Sequence, residues 1–242
     1  MGRRYLVLGA SSELALAFLQ ANDWQEGDEA VLQYRRPNQA LVKFAEEHSF
    51  RLEQADFADM DSTTAFAERL KEQKFVPTHI LHTPAAPIEN KRFTEYTWTE
   101  AELQLNVQLR SLWITLQTVM KQMAKAKIGK IIIILTEYCK GVPPKFLSAY
   151  VTSKYALLGL GKALAAEYAG KNIQVNMISP AMMETKFLEN VHESVVTQSA
   201  ADNPMGRNAR VEDVVPLVQY LFSSTSSFVT GANIPVTGGE VL

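Results

Sequence analysis

The chain has 242 residues with a formal net charge of -2; 47% of its residues are hydrophobic and 21% are charged. This length falls in the upper part of the single-domain range, and the composition offers enough apolar surface to cover both faces of a central sheet, so we predict one domain over residues 1–242. The chain has no excess of basic residues with which to neutralise a run of phosphates, which argues against nucleic acid as a partner.

The number of cysteines and the length of the apolar runs indicate the cellular compartment of the protein. Cys139 is the only cysteine, so the chain forms neither an internal disulfide nor a cysteine zinc cluster. The N-terminal apolar run is too short for a signal peptide, and no run approaches membrane-spanning length. The four histidines show no ligand spacing, so we expect no metal site. We therefore predict a cytoplasmic protein with no membrane partner.

The order of predicted elements indicates the fold. Short runs rich in Val and Ile alternate with longer helical patterns, which is typical of repeated β-α-β units around a parallel sheet. We expect an α/β fold: a single doubly wound Rossmann domain with a seven-stranded parallel sheet and helices on both faces. The predicted strands are residues 5–8, 30–34, 50–54, 79–81, 130–135, 173–178 and 233–236.

Two helical patterns exceed the mean length of a globular helix. The first extends from about residue 100 to 125, with Thr99 and Glu102 as a candidate capping box. The second extends from about residue 148 to 169. Both patterns are long enough to place side chains at an edge of the predicted sheet.

The first predicted strand leads into a turn that opens a helix. In this context a glycine turn presents backbone N–H groups and a helix dipole to a diphosphate. Of the glycines that such a turn usually contains, Gly9 alone is present, followed by Ser11, Ser12, Glu13 and Leu14. Taken alone, the segment fits an ordinary strand-to-helix turn about as well as a dinucleotide-binding loop.

Tyr150 and Lys154 are four residues apart near the start of the second long helix, so both project from one face. A nearby ammonium favours phenolate, and a tyrosine with a pKa of about 10 needs such a cation to act as an acid or base near neutrality. Many helices contain such a pair for structural reasons alone. The position after the fifth predicted strand, at the C-terminal edge of the sheet, favours a catalytic role.

With these residues in order, the whole chain resembles the short-chain dehydrogenase/reductase family, in the compact form similar to the 3-oxoacyl-carrier-protein reductases. The motifs that carry the resemblance extend along the whole sequence. They are the Gly9 turn, Asp56 after the third strand, Asn106 in the first long helix, Tyr150 with Lys154, residues 176–181 leading to Thr185, and Thr230-Gly231 followed by residues 236–239.

The resemblance implies roles for the catalytic residues. Tyr150 would pass a proton to or from the substrate oxygen, and Lys154 would lower the pKa of Tyr150 and hold the nicotinamide ribose. Asn106 would shape its helix and a water-mediated proton path. The implied reaction is hydride transfer between a nicotinamide cofactor and a small-molecule carbonyl or secondary alcohol. Two substrate classes remain open: a 3-oxoacyl thioester, with or without a carrier protein, and a sugar or polyol intermediate.

The resemblance also assigns residues to the cofactor. Asp56 would contact the adenine, and Thr83 begins the stretch that usually reads Asn-Ala-Gly. Pro180 and its neighbours would line the nicotinamide, with Ala181 in place of the usual glycine. The full set expected at the cofactor is Gly9, Ser11, Ser12, Glu13, Leu14, Arg35, Arg36, Asp56, Phe57, Thr83, Pro84, Ala85, Tyr150, Lys154, Pro180, Met183 and Thr185.

The end of the second predicted strand bears on the choice of cofactor. Gln33, Tyr34, Arg35 and Arg36 offer no carboxylate to accept from a ribose 2'-hydroxyl. Guanidinium pairs with phosphate through charge-assisted, often bidentate bonds. We therefore predict NADP, with Arg35 holding the 2'-phosphate, assisted by Arg36 and by Ser11 or Ser12. The alternative is that both arginines are simply solvated.

One departure from the family concerns its catalytic serine, whose place, counted back from Tyr150, is taken by Glu137. An ionised carboxylate there would repel a developing oxyanion and raise the pKa of Tyr150. We predict that Glu137 turns away and that Thr136 supplies the missing hydroxyl. Glu137 and Glu13 also support a second hypothesis, a catalytically impaired protein of this fold that binds the cofactor as a sensor or inactive subunit.

The resemblance places a substrate loop at about residues 182–204. If this segment is helical, Phe187, Leu188, Val191 and Val195 form one apolar stripe, which either packs internally or contacts an apolar substrate. The resemblance also implies a homodimer or homotetramer formed through the two long helices. The apolar stretch 112–119 is the candidate surface.

Overall fold

A computed structural model describes residues 2–241, and its centre is a parallel sheet. The strands are β1 (Arg4–Leu8), β2 (Glu29–Tyr34), β3 (Arg51–Gln54), β4 (His79–His82), β5 (Gly129–Ile134), β6 (Ile173–Pro180) and β7 (Asn233–Val236). They form one seven-stranded sheet in the order β3-β2-β1-β4-β5-β6-β7, and every neighbouring pair is parallel. The predicted doubly wound α/β fold is confirmed, and every predicted strand overlaps an observed one.

Helices cover both faces of the sheet. They are α1 (Glu13–Ala21), α2 (Gln39–His48), α3 (Met60–Glu72), α4 (Trp98–Leu105), α5 (Ser111–Ala126), α6 (Ser148–Tyr168), α7 (Glu193–Asp202) and α8 (Val211–Phe222). Helices α3, α5 and α6 enclose one hydrophobic core, while α1, α2 and α8 enclose the other. Within residues 2–241, no helix combines the length and apolar character needed to cross a bilayer.

The interior strand β5 explains why the sheet needs helices on both sides. Its side chains Ile131 and Ile133 enter one core, and Ile132 and Ile134 enter the other. Successive residues of a strand point to opposite faces, so a continuous apolar run must be covered twice. The same run gave the clearest strand prediction in the sequence.

A glycine lets α6 approach the sheet closely. A Cβ added at Gly161 would lie 2.5 Å from the sulfur of Met177 on β6, so a side chain there would displace Met177 or move the helix away from the sheet. Because α6 begins at the C-terminal edge of the sheet and carries Tyr150 near its start, this contact helps to set how far the tyrosine reaches over that edge.

The first long helix differs from its prediction at its start and in its middle. The capping box consists of Thr97 and Glu100, not Thr99 and Glu102, so α4 begins at Trp98. A π-helical segment, Asn106–Arg110, then separates α4 from α5. The sequence contains two overlapping Thr-x-x-Glu patterns of identical spacing, and spacing alone does not distinguish them.

The apolar stretch 112–119 is largely used by the protein's own core. Leu112, Leu116 and Val119 are buried against the sheet, whereas Trp113 remains 49% exposed. These leucines and this valine are therefore unavailable to a partner. The homodimer or homotetramer stays a prediction, and any contact through α5 would involve its outer face.

A buried imidazole lies in an aromatic cluster at the start of β4. The ring of His79 stacks on Tyr5 at 4.7 Å between centroids and meets Phe222 edge-on at 5.2 Å. Its Nε2 lies 3.2 Å from the carbonyl oxygen of Phe222, and its Nδ1 lies 2.7 Å from the hydroxyl oxygen of Thr78. Burial lowers the pKa of His79 from 6.5 to about 4, so the folded protein keeps the ring neutral.

This burial predicts an acid-sensitive fold. Between pH 6.5 and about 4, His79 is protonated in the unfolded chain but neutral in the folded chain. The free energy of unfolding therefore decreases as the pH falls through this range. The slope from this group reaches at most about 1.4 kcal/mol per pH unit. His79→Phe should flatten the pH dependence of the unfolding free energy in urea titrations, while the exposed His192→Gln should not. An unchanged slope in His79→Phe would contradict this account.

Candidate active site

A large cavity lies at the C-terminal edge of the sheet, where β1, β4, β5 and β6 end. Its volume of about 650 Å³ is in the range of small-molecule and cofactor sites. The wall is formed by the turn after β1, the ends of β4 and β5, the start of α6 and the segment after β6. In open parallel sheets ligands bind at this edge, beside the point where the strand order reverses. Here the order reverses at β1.

The turn after β1 requires glycine at its first position. Gly9 has a φ of +75°, and an added Cβ would lie 2.7 Å from the hydroxyl oxygen of Thr83 and 3.0 Å from the nitrogen of Pro84. Ser12 caps α1, because its hydroxyl accepts a 3.2 Å bond from the N–H of Ala15. The hydroxyl oxygens of Ser12 and Thr83 are 3.0 Å apart, so this turn is joined to the end of β4.

A buried glutamine that we did not predict supports this turn. Gln33, on β2, accepts a 2.8 Å bond from the N–H of Gly9 and donates a 2.8 Å bond to the carbonyl oxygen of Ala55, which follows β3. It is 2% exposed. The sequence contained one signal for this role, which is that Gln33 is a polar residue inside an otherwise apolar strand. Its hydrogen-bond partners, Gly9 and Ala55, could not be inferred because both are distant in the sequence.

Tyr150 and Lys154 lie on the first turns of α6, both buried against the cavity. The Lys154 Nζ donates a 2.9 Å bond to the carbonyl oxygen of Ile134 and lies 5.6 Å from the centre of the Tyr150 ring. Burial lowers the pKa of Lys154 to about 8. Burial also raises the pKa of Tyr150 well above its usual value, with the Thr136 hydroxyl acting in the opposite direction. The direction of this shift is opposite to the lowering expected from Lys154.

Thr136 and Glu137 follow β5 and both line the cavity. The hydroxyl of Thr136 is close enough to Tyr150 to act on the pKa of the phenol, which it lowers. The carboxyl group of Glu137 lies beside the side chain of Glu240 and the backbone of Met182. Burial, followed by the neighbouring Glu240, raises the pKa of Glu137 to about 8, which favours its protonated form near neutral pH. In that form Glu137 adds no negative charge beside a developing oxyanion.

A corner of the site lies beyond the ends of β2 and β3. Arg35 and Asp56 line both the main cavity and a smaller one beside it, and Arg36 lines the smaller one. The Gln54 side-chain amide donates a 3.1 Å bond to the carbonyl oxygen of Arg35, while the Asp56 N–H donates a 2.8 Å bond to Ser62. Both arginine side chains are exposed, which leaves their guanidinium groups free to bind an anion.

The structure brings most of the predicted site residues to one cavity. Arg36 lines only the smaller neighbouring cavity, and Asn106 lines neither, although the next residue, Val107, reaches the wall. Asn106 instead begins the π-helical segment. The main cavity is lined by Gly9, Ser11, Ser12, Glu13, Leu14, Arg35, Asp56, Phe57, Thr83, Pro84, Ala85, Thr136, Tyr150, Lys154, Pro180, Met183 and Thr185.

The predicted substrate loop, residues 182–204, is helical only in part. A 3₁₀ turn, Lys186–Leu188, precedes α7, so Phe187 and Val195 do not share one helix and the condition for a single helical stripe is not met. All four stripe residues nevertheless line the cavity, and the ring of Phe187 lies 6.2 Å from that of Tyr150. Across residues 2–241, no group of three or more acidic, His or Cys side chains is arranged to hold a metal ion.

Comparisons with known proteins agree with this architecture. A family model described as enoyl-(acyl carrier protein) reductase matches residues 9–240. Oxidoreductase UcpA of Salmonella typhimurium is 30% identical over 196 residues, which cover 78% of this chain and 74% of that protein. An acetoacetyl-CoA reductase of Allochromatium vinosum is 30% identical over 186 residues, covering 76% and 74%.

A solved structure supports the fold independently. The gluconate 5-dehydrogenase of Burkholderia cenocepacia, determined in complex with NADP and tartrate, superposes with a TM-score of 0.86 at 21% identity, covering 99% of this chain and 95% of that one. At this identity the likeness concerns the fold. Together with the family model and the sequence relatives, it leads to one conclusion: the chain belongs to the short-chain dehydrogenase/reductase family of oxidoreductases, which use nicotinamide cofactors.

Proposed function

We propose that the chain is an NADP(H)-dependent oxidoreductase that transfers hydride between nicotinamide and a carbonyl or secondary alcohol. The observation that carries the proposal is that Tyr150, Lys154 and Thr136 line the same cavity as the Gly9 turn. The likeness to an acetoacetyl-CoA reductase makes a 3-oxoacyl thioester the first substrate to test. The apolar side chains of residues 187–195 suit a substrate with an apolar arm.

The residues present fit a dinucleotide. The Gly9 turn packs against Thr83 and Pro84 with no room for a Cβ, and together with the N-terminus of α1 it lines the cavity, where backbone N–H groups would hold a diphosphate. Arg35 and Arg36 fit a 2'-phosphate at the far corner, and Pro180, Met183 and Thr185 fit the nicotinamide end. When bound, the cofactor would supply the hydride.

The protein's own side chains would supply the proton that the substrate oxygen gains during carbonyl reduction. The raised pKa of Tyr150 keeps its hydroxyl protonated, ready to donate to a carbonyl oxygen as negative charge develops there. Thr136 would donate a second hydrogen bond to the same oxygen. Lys154 would provide the positive charge that stabilises a tyrosinate once the proton has left, and it remains charged below about pH 8.

The first functional prediction concerns the choice of cofactor. Arg35→Ala should weaken NADPH binding by about 10- to 100-fold, the usual cost of losing a hydrogen bond to a charged group, and leave NADH binding unchanged. Isothermal titration with both cofactors measures this. Lys121→Ala, which removes an exposed charge on α5, serves as the control. Equal affinity of the wild type for NADH and NADPH would refute the assignment.

The second prediction concerns the proton donor. Tyr150→Phe should abolish turnover and leave NADPH binding nearly intact, because it removes the hydroxyl and little contact area. Lys154→Ala should impair both. In the wild type, kcat/KM for carbonyl reduction should fall above about pH 8 as Lys154 loses its proton. Turnover by Tyr150→Phe at the wild-type rate would mean that the proton comes from another group.

The third prediction concerns the position of the missing serine. Thr136→Val keeps the shape and removes the hydroxyl, so kcat should fall by about 10²-fold, as is typical for one such donor. Glu137→Ser should keep or raise activity. Steady-state kinetics measure both variants. A silent Thr136→Val together with an inactive Glu137→Gln would assign the role to Glu137 itself, as a protonated donor or a base.

The second hypothesis, a cofactor-binding protein without turnover, is favoured by one observation. Glu137 occupies the serine position, and its carboxyl group is buried beside Glu240. Direct NADPH binding measured beside NADPH oxidation with a panel of ketones, including 3-oxoacyl thioesters, separates the hypotheses. Binding without turnover on every substrate would favour the sensor or inactive subunit.

A further inference from the structure

A carboxylate at the start of α1 bonds to a segment 173 residues away in the sequence. Glu13 Oε2 accepts a 2.7 Å hydrogen bond from the backbone N–H of Lys186. Glu13 is the first residue of α1, and Lys186 begins the 3₁₀ turn in the 182–204 loop. The bond therefore connects the predicted phosphate turn directly to the segment that lines the other side of the cavity.

Apart from the bond between Glu13 and Lys186, the 182–204 loop is attached to the rest of the protein on either side of Lys186. Met183 pairs with Ala209 in an isolated β-bridge, and the side-chain amide of Asn208 donates a 3.0 Å bond to the carbonyl oxygen of Val196. Glu184, beside this bridge, donates its N–H to the carbonyl oxygen of Ala209 and accepts a 3.4 Å bond from the side-chain amide of Asn208. From residue 185 to residue 195, within the part of the chain that the structure describes, the hydrogen bonds of the loop are internal apart from the one to Glu13.

The bonded residue is adjacent to the wall that faces the catalytic tyrosine. Phe187 follows Lys186 directly, and its ring lies 6.2 Å from that of Tyr150 at a tilt of 45°. Leu188 and Val191 continue this wall along the cavity. Fixing the Lys186 backbone therefore fixes the apolar surface against which a substrate at Tyr150 would rest.

We propose that Glu13 is a positioning residue that holds the 182–204 loop against the catalytic cavity. A carboxylate is stable at the first position of a helix, where it interacts favourably with the helix dipole. Its bond to an N–H is charge-assisted and stronger than a bond between neutral groups. A glycine, which the resemblance leads one to expect at this position, has no side chain with which to make the bond.

Hydrogen exchange of the free protein tests the proposal. Glu13→Ala removes the acceptor, and exchange over residues 186–191 should become about tenfold faster or more, with the rest of the chain unchanged. Glu13→Gln keeps an acceptor oxygen and should retain most of the protection. Glu26→Ala removes an exposed carboxylate in the turn before β2 and serves as the control. Wild-type exchange in Glu13→Ala would overturn the proposal.

A second variant approaches the same bond from the loop. Lys186→Pro removes the N–H donor at the first position of a 3₁₀ turn, which proline tolerates, and Thr185 before it is already extended at φ -136° and ψ 166°. This variant should accelerate exchange over residues 187–191 as much as Glu13→Ala. The double variant should add nothing further, whereas additive effects would show that the two residues act separately and overturn the proposal.

Kinetics supply a readout that a purely structural role would not give. In Glu13→Ala assayed at saturating NADPH, which removes any effect of Glu13 on cofactor affinity, KM for the carbonyl substrate should rise about tenfold and more than kcat falls, because Tyr150 and Lys154 remain on α6. Equal losses in kcat and kcat/KM would overturn the positioning role. The kinetic test rests on the proposed function, whereas the hydrogen-exchange test does not. If the protein shows no turnover but Glu13→Ala still accelerates exchange in the loop, the proposed function alone is refuted.

Discussion

The reversal of crossover direction at β1 determines where this protein can bind anything. The chain leaves β1 through α1 towards β2 on one side, while β4 lies on the other side and leads towards β5. The loops after β1 and β4 therefore diverge and leave a crevice above the sheet edge. Contact between the Gly9 turn and Thr83 closes the bottom of this crevice, and all later parts of the site are arranged around it.

Burial is the dominant electrostatic effect around the crevice. It raises the pKa of Tyr150 and Glu137 and lowers that of Lys154, so each group is biased towards its neutral form. His82, at the end of β4, follows the same rule, because burial and then Lys154 lower its pKa to about 3. A charge brought into such surroundings by a ligand interacts more strongly than it would in water. Tyr150 and Glu137 therefore retain their protons, whereas Lys154 and His82 lose theirs more readily than they would in water.

Much of the fold could be predicted because its signals are local. A run such as residues 131–134, apolar on both faces of a strand, has few other places in a soluble fold, and a tyrosine and a lysine four apart on a helix necessarily share a face. The features that could not be predicted depend on distant partners. The roles of Gln33 and Glu13 depend on Ala55 and Lys186, which no spacing rule connects to them. The π-helical segment likewise interrupts a pattern that reads as continuous helix.

The only cysteine of the chain gives the protein a built-in chemical reporter. Cys139 ends the 3₁₀ turn that begins at Glu137, and its N–H donates a 3.0 Å bond to the carbonyl oxygen of Thr136. Burial raises the pKa of its thiol to about 11, so almost no thiolate is available to alkylating reagents near neutrality. Any rapid modification of this thiol in the folded protein would signal that the turn carrying Thr136 and Glu137 has opened. The rate at which Cys139 is labelled thus measures how often this turn opens, and the measurement needs neither a substrate nor a mutation.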